Sequence, residues 1–249
     1  IAKQAACPGQ DTDLACHTNL SLLGIPIAPG SLAPYTTTFA TIVSAIFLIF
    51  IGAVADRSPR PARLLGIFAW LGALAAAGLF FVEGTRWQLG AILMVLATIC
   101  LGSSLVIYDA ILNDIAHPND RDKVSSRGWA LGYLGGGLLL ALNLVLVTMK
   151  PFGLSTGMAV RISMLSAAVW WGIFTLIPVL GMWNLRGVER PVTAVGEGAV
   201  GGSLKQLRNT FGDLRRHHPQ TMLFLLAYLF YNDGIQTVIS SSSLYGAEE

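Results

Sequence analysis

One acidic side chain stands in the middle of the last apolar stretch of this chain. Asp233 follows twelve uncharged residues, Thr221 to Asn232. In a helix rising about 1.5 Å per residue this puts the carboxylate ~18 Å along, near the middle of a hydrocarbon core about 30 Å thick. A charge at that depth costs about 2.5–3.5 kcal/mol on insertion scales, so it normally faces a cavity or a partner. Its neighbours are polar at helical spacing. Asn232, Gln236 and Ser240 stand at i, i+4 and i+8, and Asp233, Thr237 and Ser241 run beside them. The stripe reads as a wet wall, with Leu225 and Leu229 expected on the opposite side. An acid so placed can hold the amino group of a substrate, carry a proton, or pair with another helix. Asn143, the one strongly polar side chain deep in another apolar stretch, is the remaining cavity candidate. It can equally serve as a bond between helices.

Other chemistry finds no support. His17, His117, His217 and His218 all fall between apolar stretches, and no His/Cys/Glu set has the spacing of a metal site. No Ser/His/Asp set can be assembled in one pocket. The expectation is therefore no enzyme, no metal and no cofactor. Cys7 and Cys16 have eight residues between them and lie in a polar segment. They either close a small disulfide on an oxidising side or remain two thiols. Cys100 lies within an apolar run and reads as packing.

These residues must be positioned by elements suited to lipid. Only 12% of residues are charged and 53% are hydrophobic, against about 25% charged in a soluble domain. The net charge of +2 is too small to indicate nucleic acid. Residues 35–55 and 64–82 carry no charge at all. Six membrane spans are expected, at about 35–55, 64–82, 87–108, 128–149, 162–185 and 221–245. The loops at 56–63, 109–127 and 186–220 hold 12 of the 16 Lys+Arg. Positive loops stay in the cytoplasm, so residues 1–34 form an outer loop.

The turn from Gly52 to Arg63 is the most specific charged element. Asp56, Arg57, Arg60 and Arg63 are crowded between two uncharged runs, and Pro59 and Pro61 stop the helix. This pattern resembles the loop between the second and third spans of major facilitator superfamily transporters. Gly52, Asp56, Arg57, Arg60 and Arg63 match it; Pro59 stands where the family has a glycine. The resemblance implies a gating loop at these residues. Further along, Tyr108, Asp109 and Asn113 lie where the third span reaches the cytoplasm. They form either an inner vestibule or a solvated helix end. Ser125 or Ser126 is expected to cap the next span, and Gly128, Gly132 and Gly136 to give it a packing face. Residues 203–218 read as an amphipathic basic helix on the inner leaflet. There Leu204, Leu207, Phe211 and Leu214 share one face, beside Lys205, Arg208, Arg215 and Arg216.

The segments GAVADR, SSRGWALGYLGGGLLL, LKQLRNTFGDLRRHH and FLLAYLFYNDGIQTV together resemble the vacuole-effluxer, autophagy-related branch of the superfamily and its bacterial relatives. The resemblance implies an all-α membrane protein with the major facilitator fold. Its implied activity is secondary transport of a small solute, with amino acids as one class, by alternating access. The chain starts at Ile1 on the outer side without a leader pattern. It is therefore expected to be a fragment covering about spans two to seven of twelve, with a first span and a C-terminal half elsewhere in the protein. A complete six-span protein is the alternative. The expected parts are an outer loop at 1–34, five spans of the N-terminal half at 35–185, a cytoplasmic linker at 186–220, and the first span of the second half at 221–249. The partners implied are a small-molecule substrate and the lipid bilayer. The membrane is a bacterial inner membrane, or a vacuolar one in a eukaryote. The competing function is a non-transporting scaffold or receptor that reuses the fold.

Overall fold

The computed structural model describes residues 20–22, 25–83, 85–184 and 199–248. Two compact units divide the chain, Ile1–Thr193 and Ala194–Glu249. The first described residues of the first unit form a short antiparallel hairpin, β1 (Leu20–Leu22) and β2 (Ile25–Ile27), in which Leu20 pairs with Ile27. The sequence offered only a loop here, since three-residue strands leave too little alternation to read. Five long helices follow: α1 (Leu32–Arg57), α2 (Pro61–Gly78), α3 (Trp87–Ile115), α4 (Arg121–Met149) and α5 (Thr156–Gly181). The second unit holds α6 (Ala199–His217) and α7 (Pro219–Glu248).

Prolines set the breaks. Ser58, ahead of Pro59, is extended at φ −72° and ψ 125°, and so ends α1. Pro61 opens α2, where a missing N–H costs nothing. His117, ahead of Pro118, is likewise extended at φ −60° and ψ 144°. The frayed end of α3 is held by Arg121. Its Nε and Nη2 donate to the carbonyls of Ala116 and Asn113 at 3.4 and 3.3 Å. Helix α4 therefore starts at Arg121, and Ser125 and Ser126 lie inside it. Ser126 Oγ donates to the carbonyl of Lys123 at 3.2 Å and caps nothing, which corrects the expected N-cap. At α5 the cap is Ser155, whose Oγ accepts from the Met158 N–H at 3.3 Å.

Among the described residues five helices are long and apolar enough to cross a membrane, and all five lie in the first unit. Helix α7 is the sixth expected span. It forms over 30 residues, and its side chains beyond Val238 lie outside the described residues.

Helix α2 sits at the centre of the first unit, packed on α3 and on α5; α3 also packs on α1. Small residues make this possible. Ala62, Gly66, Ala69, Gly72 and Ala73 are buried along α2. Lipid tails are as apolar as leucine, so helices associate through close van der Waals contact, and small side chains permit it. The tightest point is Gly72. A Cβ there would lie 2.3 Å from the indole of Trp171 and 2.9 Å from Cys100 Cβ. At Gly66 it would lie 2.9 Å from Val179. The expected glycine face of α4 is only partly used. Gly128 abuts the Tyr108 hydroxyl and Gly135 the Trp170 ring, while Gly132 and Gly136 meet nothing within 4 Å. Helix α4 buries none of its residues and presents its leucines outward.

Crowding at Gly72 gives a direct test. Overpacking a fitted site costs about 1–3 kcal/mol. Gly72→Val should lower the thermal unfolding midpoint of the detergent-purified protein clearly, whereas Gly132→Ala should leave it unchanged or slightly raised. Equal midpoints for the two variants would remove α2 from the centre of the packing.

Candidate functional site

At one end of the first unit, α1, α2 and α3 converge on one apolar cluster. Ile51 and Ala55 come from α1, Leu65 from α2, and Ile107 and Ile111 from α3. Leu64, Phe68, Tyr108 and Met182 pack against it. Tyr108 is thus half-buried, with its hydroxyl turned toward Gly128 on α4. Asp109 and Asn113 lie on the exposed side of α3 instead. The three residues expected to form one vestibule therefore divide, with one packed into the bundle and two facing out. Asp109 and Asn113 do share a face, as their spacing of four requires.

The charged turn is rooted in the same cluster. A Cβ at Gly52 would lie 3.9 Å from Val106 Cγ1, across the α1–α3 contact. Arg60 is exposed, and its N–H reaches Ser58 Oγ at 3.4 Å. Arg63 behaves differently from a solvated arginine. Its guanidinium carbon lies 4.5 Å from the centroid of the Trp183 ring, just past the end of α5. Its Nε is buried there with no hydrogen-bond acceptor among the described residues. A guanidinium over an indole is a favourable cation–π arrangement, worth about 0.5–2 kcal/mol according to its exposure. Arg63 therefore ties α2 to α5. The side chains of Asp56 and Arg57 lie outside the described residues, as do Cys7 and Cys16.

The opposite ends of α2 and α5 are tied by a second arginine, which the sequence reading passed over. Arg161 of α5 pairs with Glu83 and lies 5.3 Å from the centroid of Phe80, both just past α2. Its side chain is only 14% exposed. One signal could have found it: Arg161 and Glu83 are opposite charges at the same end of neighbouring spans.

Asn143 of α4 is half-buried and accepts a hydrogen bond from Ser166 Oγ of α5 at 3.0 Å. The same hydroxyl also lies 2.8 Å from the carbonyl of Ser163. A second link across helices joins Trp70 Nε1 of α2 to the carbonyl of Gly172 on α5, at 3.1 Å.

In the second unit Asp233 is the fifteenth of the thirty residues of α7. Asn232, Asp233, Gln236 and Thr237 are exposed on that helix. The continuous α-helix puts Leu225 and Leu229 on the same face as Asn232 and Asp233, since they precede them by seven and eight, and by three and four, residues. The expectation that these leucines stand opposite is therefore wrong. The stripe is apolar in its first half and turns polar at Asn232. No group of three His, Cys, Asp or Glu able to hold a metal ion occurs among the described residues.

Long apolar helices joined by short turns define an integral, multi-pass membrane protein. A family model described as "Vacuole effluxer Atg22 like" matches residues 2–249, and the chain belongs to that family. The family is one of membrane transporters and not a class of enzymes. The chain is 29% identical over 217 residues to the "Uncharacterized MFS-type transporter YxiO" of Bacillus subtilis, covering 86% of this chain and 49% of that one. It is 24% identical over 325 residues to "Autophagy-related protein 22-2" of Penicillium rubens, with 97% and 53% covered. The chain thus spans about half the length of the curated relatives it matches. No solved structure matches it significantly.

The Asn143–Ser166 bond is measurable by a double-mutant cycle. Such interhelical bonds average about 0.6 kcal/mol in membranes. Asn143→Ala and Ser166→Ala should each destabilise the folded protein slightly and show a coupling of that order in unfolding free energy. A coupling of zero would leave Asn143 free for another role.

Proposed function

We propose that this chain forms part of a secondary transporter that moves a small solute across a membrane by alternating access. Membership of the family over residues 2–249 supports transport as the activity. The observation that carries the reading onto residues is Asp233, an acid at the midpoint of α7 with Asn232, Gln236 and Thr237 beside it. An ionisable group at that depth is expensive and marks a substrate or ion path. Amino acids are the first substrate class to test. Their ammonium group suits a carboxylate, and the family description names an effluxer. The host membrane is a bacterial inner membrane, or the vacuolar membrane in a eukaryotic cell. Two halves of the whole protein would rock about a midplane site, one of them containing α1–α5. The turn at Gly52–Arg63 acts as a gate on the cytoplasmic side. Arg63 anchors its C-terminal end on Trp183, and Asp56, Arg57 and Arg60 are the residues left to form the closing contacts.

Asp233→Asn keeps the shape and removes the charge. In proteoliposomes made with the whole protein, it should abolish gradient-driven uptake of labelled amino acids while folded protein remains. If the acid carries a proton, exchange of substrate across the membrane survives. If it holds the amino group, exchange falls too and binding weakens. Wild-type uptake and exchange in a well-folded Asn variant would reject the assignment. Absence of any transport in the wild-type protein across a broad solute panel would favour the scaffold or receptor reading.

Asp56→Asn should lower the transport rate but leave substrate affinity within a few fold, because a gate biases the balance of states without touching the site. Unchanged transport would reduce the turn to an orienting positive loop.

A further inference from the structure

Helix α6 carries a surface that the transport reading does not use. Its sequence from Ser203 to His218 has four Lys+Arg and a single acid, Asp213. At 3.6 residues per turn, Leu204, Leu207, Phe211 and Leu214 fall within one narrow face. Arg208 and Arg215 border that face on one side, and Lys205 and Arg216 stand a step further round the same flank. The acid is elsewhere. Asp213 lies on the far side of the helix, 2.7 Å from His217 Nδ1. The basic flank and the apolar face are therefore contiguous and uninterrupted by negative charge. Phe211 is 56% exposed, and Arg208, Arg215 and Arg216 are exposed as well.

The backbone fixes where this surface lies. The His218 N–H donates to the carbonyl of Leu214 at 2.9 Å, and the Met222 N–H to that of His218 at 3.2 Å. Hydrogen bonding thus crosses the joint, and α6 leads directly into α7 with its run of apolar residues from Met222 to Phe230. The distribution of Lys+Arg puts this joint on the cytoplasmic side, where the leaflet carries anionic lipid.

We infer that α6 docks flat on the anionic phospholipid of the cytoplasmic leaflet. Phe211 and the leucines enter the boundary between headgroups and acyl chains. Arg208, Arg215, Lys205 and Arg216 engage phosphate oxygens along one edge of the helix. This docking does not require that the protein transports anything; it follows from the face, its charge and its attachment.

The test uses the whole protein with Cys7→Ser, Cys16→Ser and Cys100→Ala, and a single cysteine at Phe211→Cys carrying an environment-sensitive fluorophore. It is placed in nanodiscs of phosphatidylcholine alone, in nanodiscs with added phosphatidylglycerol, and in detergent micelles. In the anionic discs the emission should shift to the blue and quenching by aqueous iodide should fall about three-fold or more. High salt, or R208Q/R215Q/R216Q together, should restore quenching. Leu214→Cys, which keeps Phe211, should report the same change. Asn209→Cys on the opposite side should stay quenchable throughout. Equal quenching in neutral and anionic discs would overturn the inference. So would protection already present in detergent, because the cover would then be another part of the protein.

Discussion

The close approach of α2 to its neighbours at Gly72 is the constraint on which the first unit depends. In lipid no hydrophobic force draws helices together, so contact must be won by fit. Gly72 admits the Trp171 ring from α5 and Cys100 from α3 at one point. The ends of the α2–α5 pair are then fastened symmetrically. Arg63, near the start of α2, stacks on Trp183, two residues past the end of α5. Arg161, in the second turn of α5, pairs with Glu83 and lies by Phe80, two residues past the end of α2. An antiparallel pair held at its middle and at both ends behaves as one body. Any rearrangement in this unit has to take place around it.

That rigidity gives the charged turn its footing. The turn's C-terminal arginine is already committed to Trp183, and the cluster of Ile51, Ala55, Leu65, Ile107 and Ile111 fixes the helices on either side. Helix α4 stands apart from this core. It touches α5 through Asn143 and Ser166 and carries no buried residue. Its outward leucines suit lipid or another helix, and they are where a larger assembly has room to pack.

Much of this was readable in the residues, and for a physical reason. Uncharged runs of span length, broken by Pro59 and Pro61 or by Pro118, leave few alternatives for a backbone that must satisfy its own hydrogen bonds in lipid. The crossing at Gly72 was not readable. Ala69, Gly72 and Ala73 look like any apolar residues, whereas the stronger pattern, Gly128, Gly132 and Gly136, mostly meets nothing. Spacing shows that a smooth face exists; which helix covers it is a tertiary fact. The arginines show the same limit. Composition assigns Arg63 to a charged turn, but only the neighbouring α5 turns it into a packed side chain. On α7 the error was of another kind. Leu225 and Leu229 were expected opposite the polar stripe, although seven and eight residues bring a helix back to nearly the same side.

The proposed gate depends on one orientation of the chain in the membrane. In it the turns after α1 and α3 lie on the cytoplasmic side and those after α2 and α4 outside. Labelling with a membrane-impermeant maleimide tests this most directly, using the cysteine-free whole protein with single cysteines at Thr85 and Asn119, both exposed turn positions. Thr85→Cys should react in intact cells, and Asn119→Cys only after permeabilisation. Reaction at Asn119→Cys in intact cells, with Thr85→Cys protected until permeabilisation, would contradict the account.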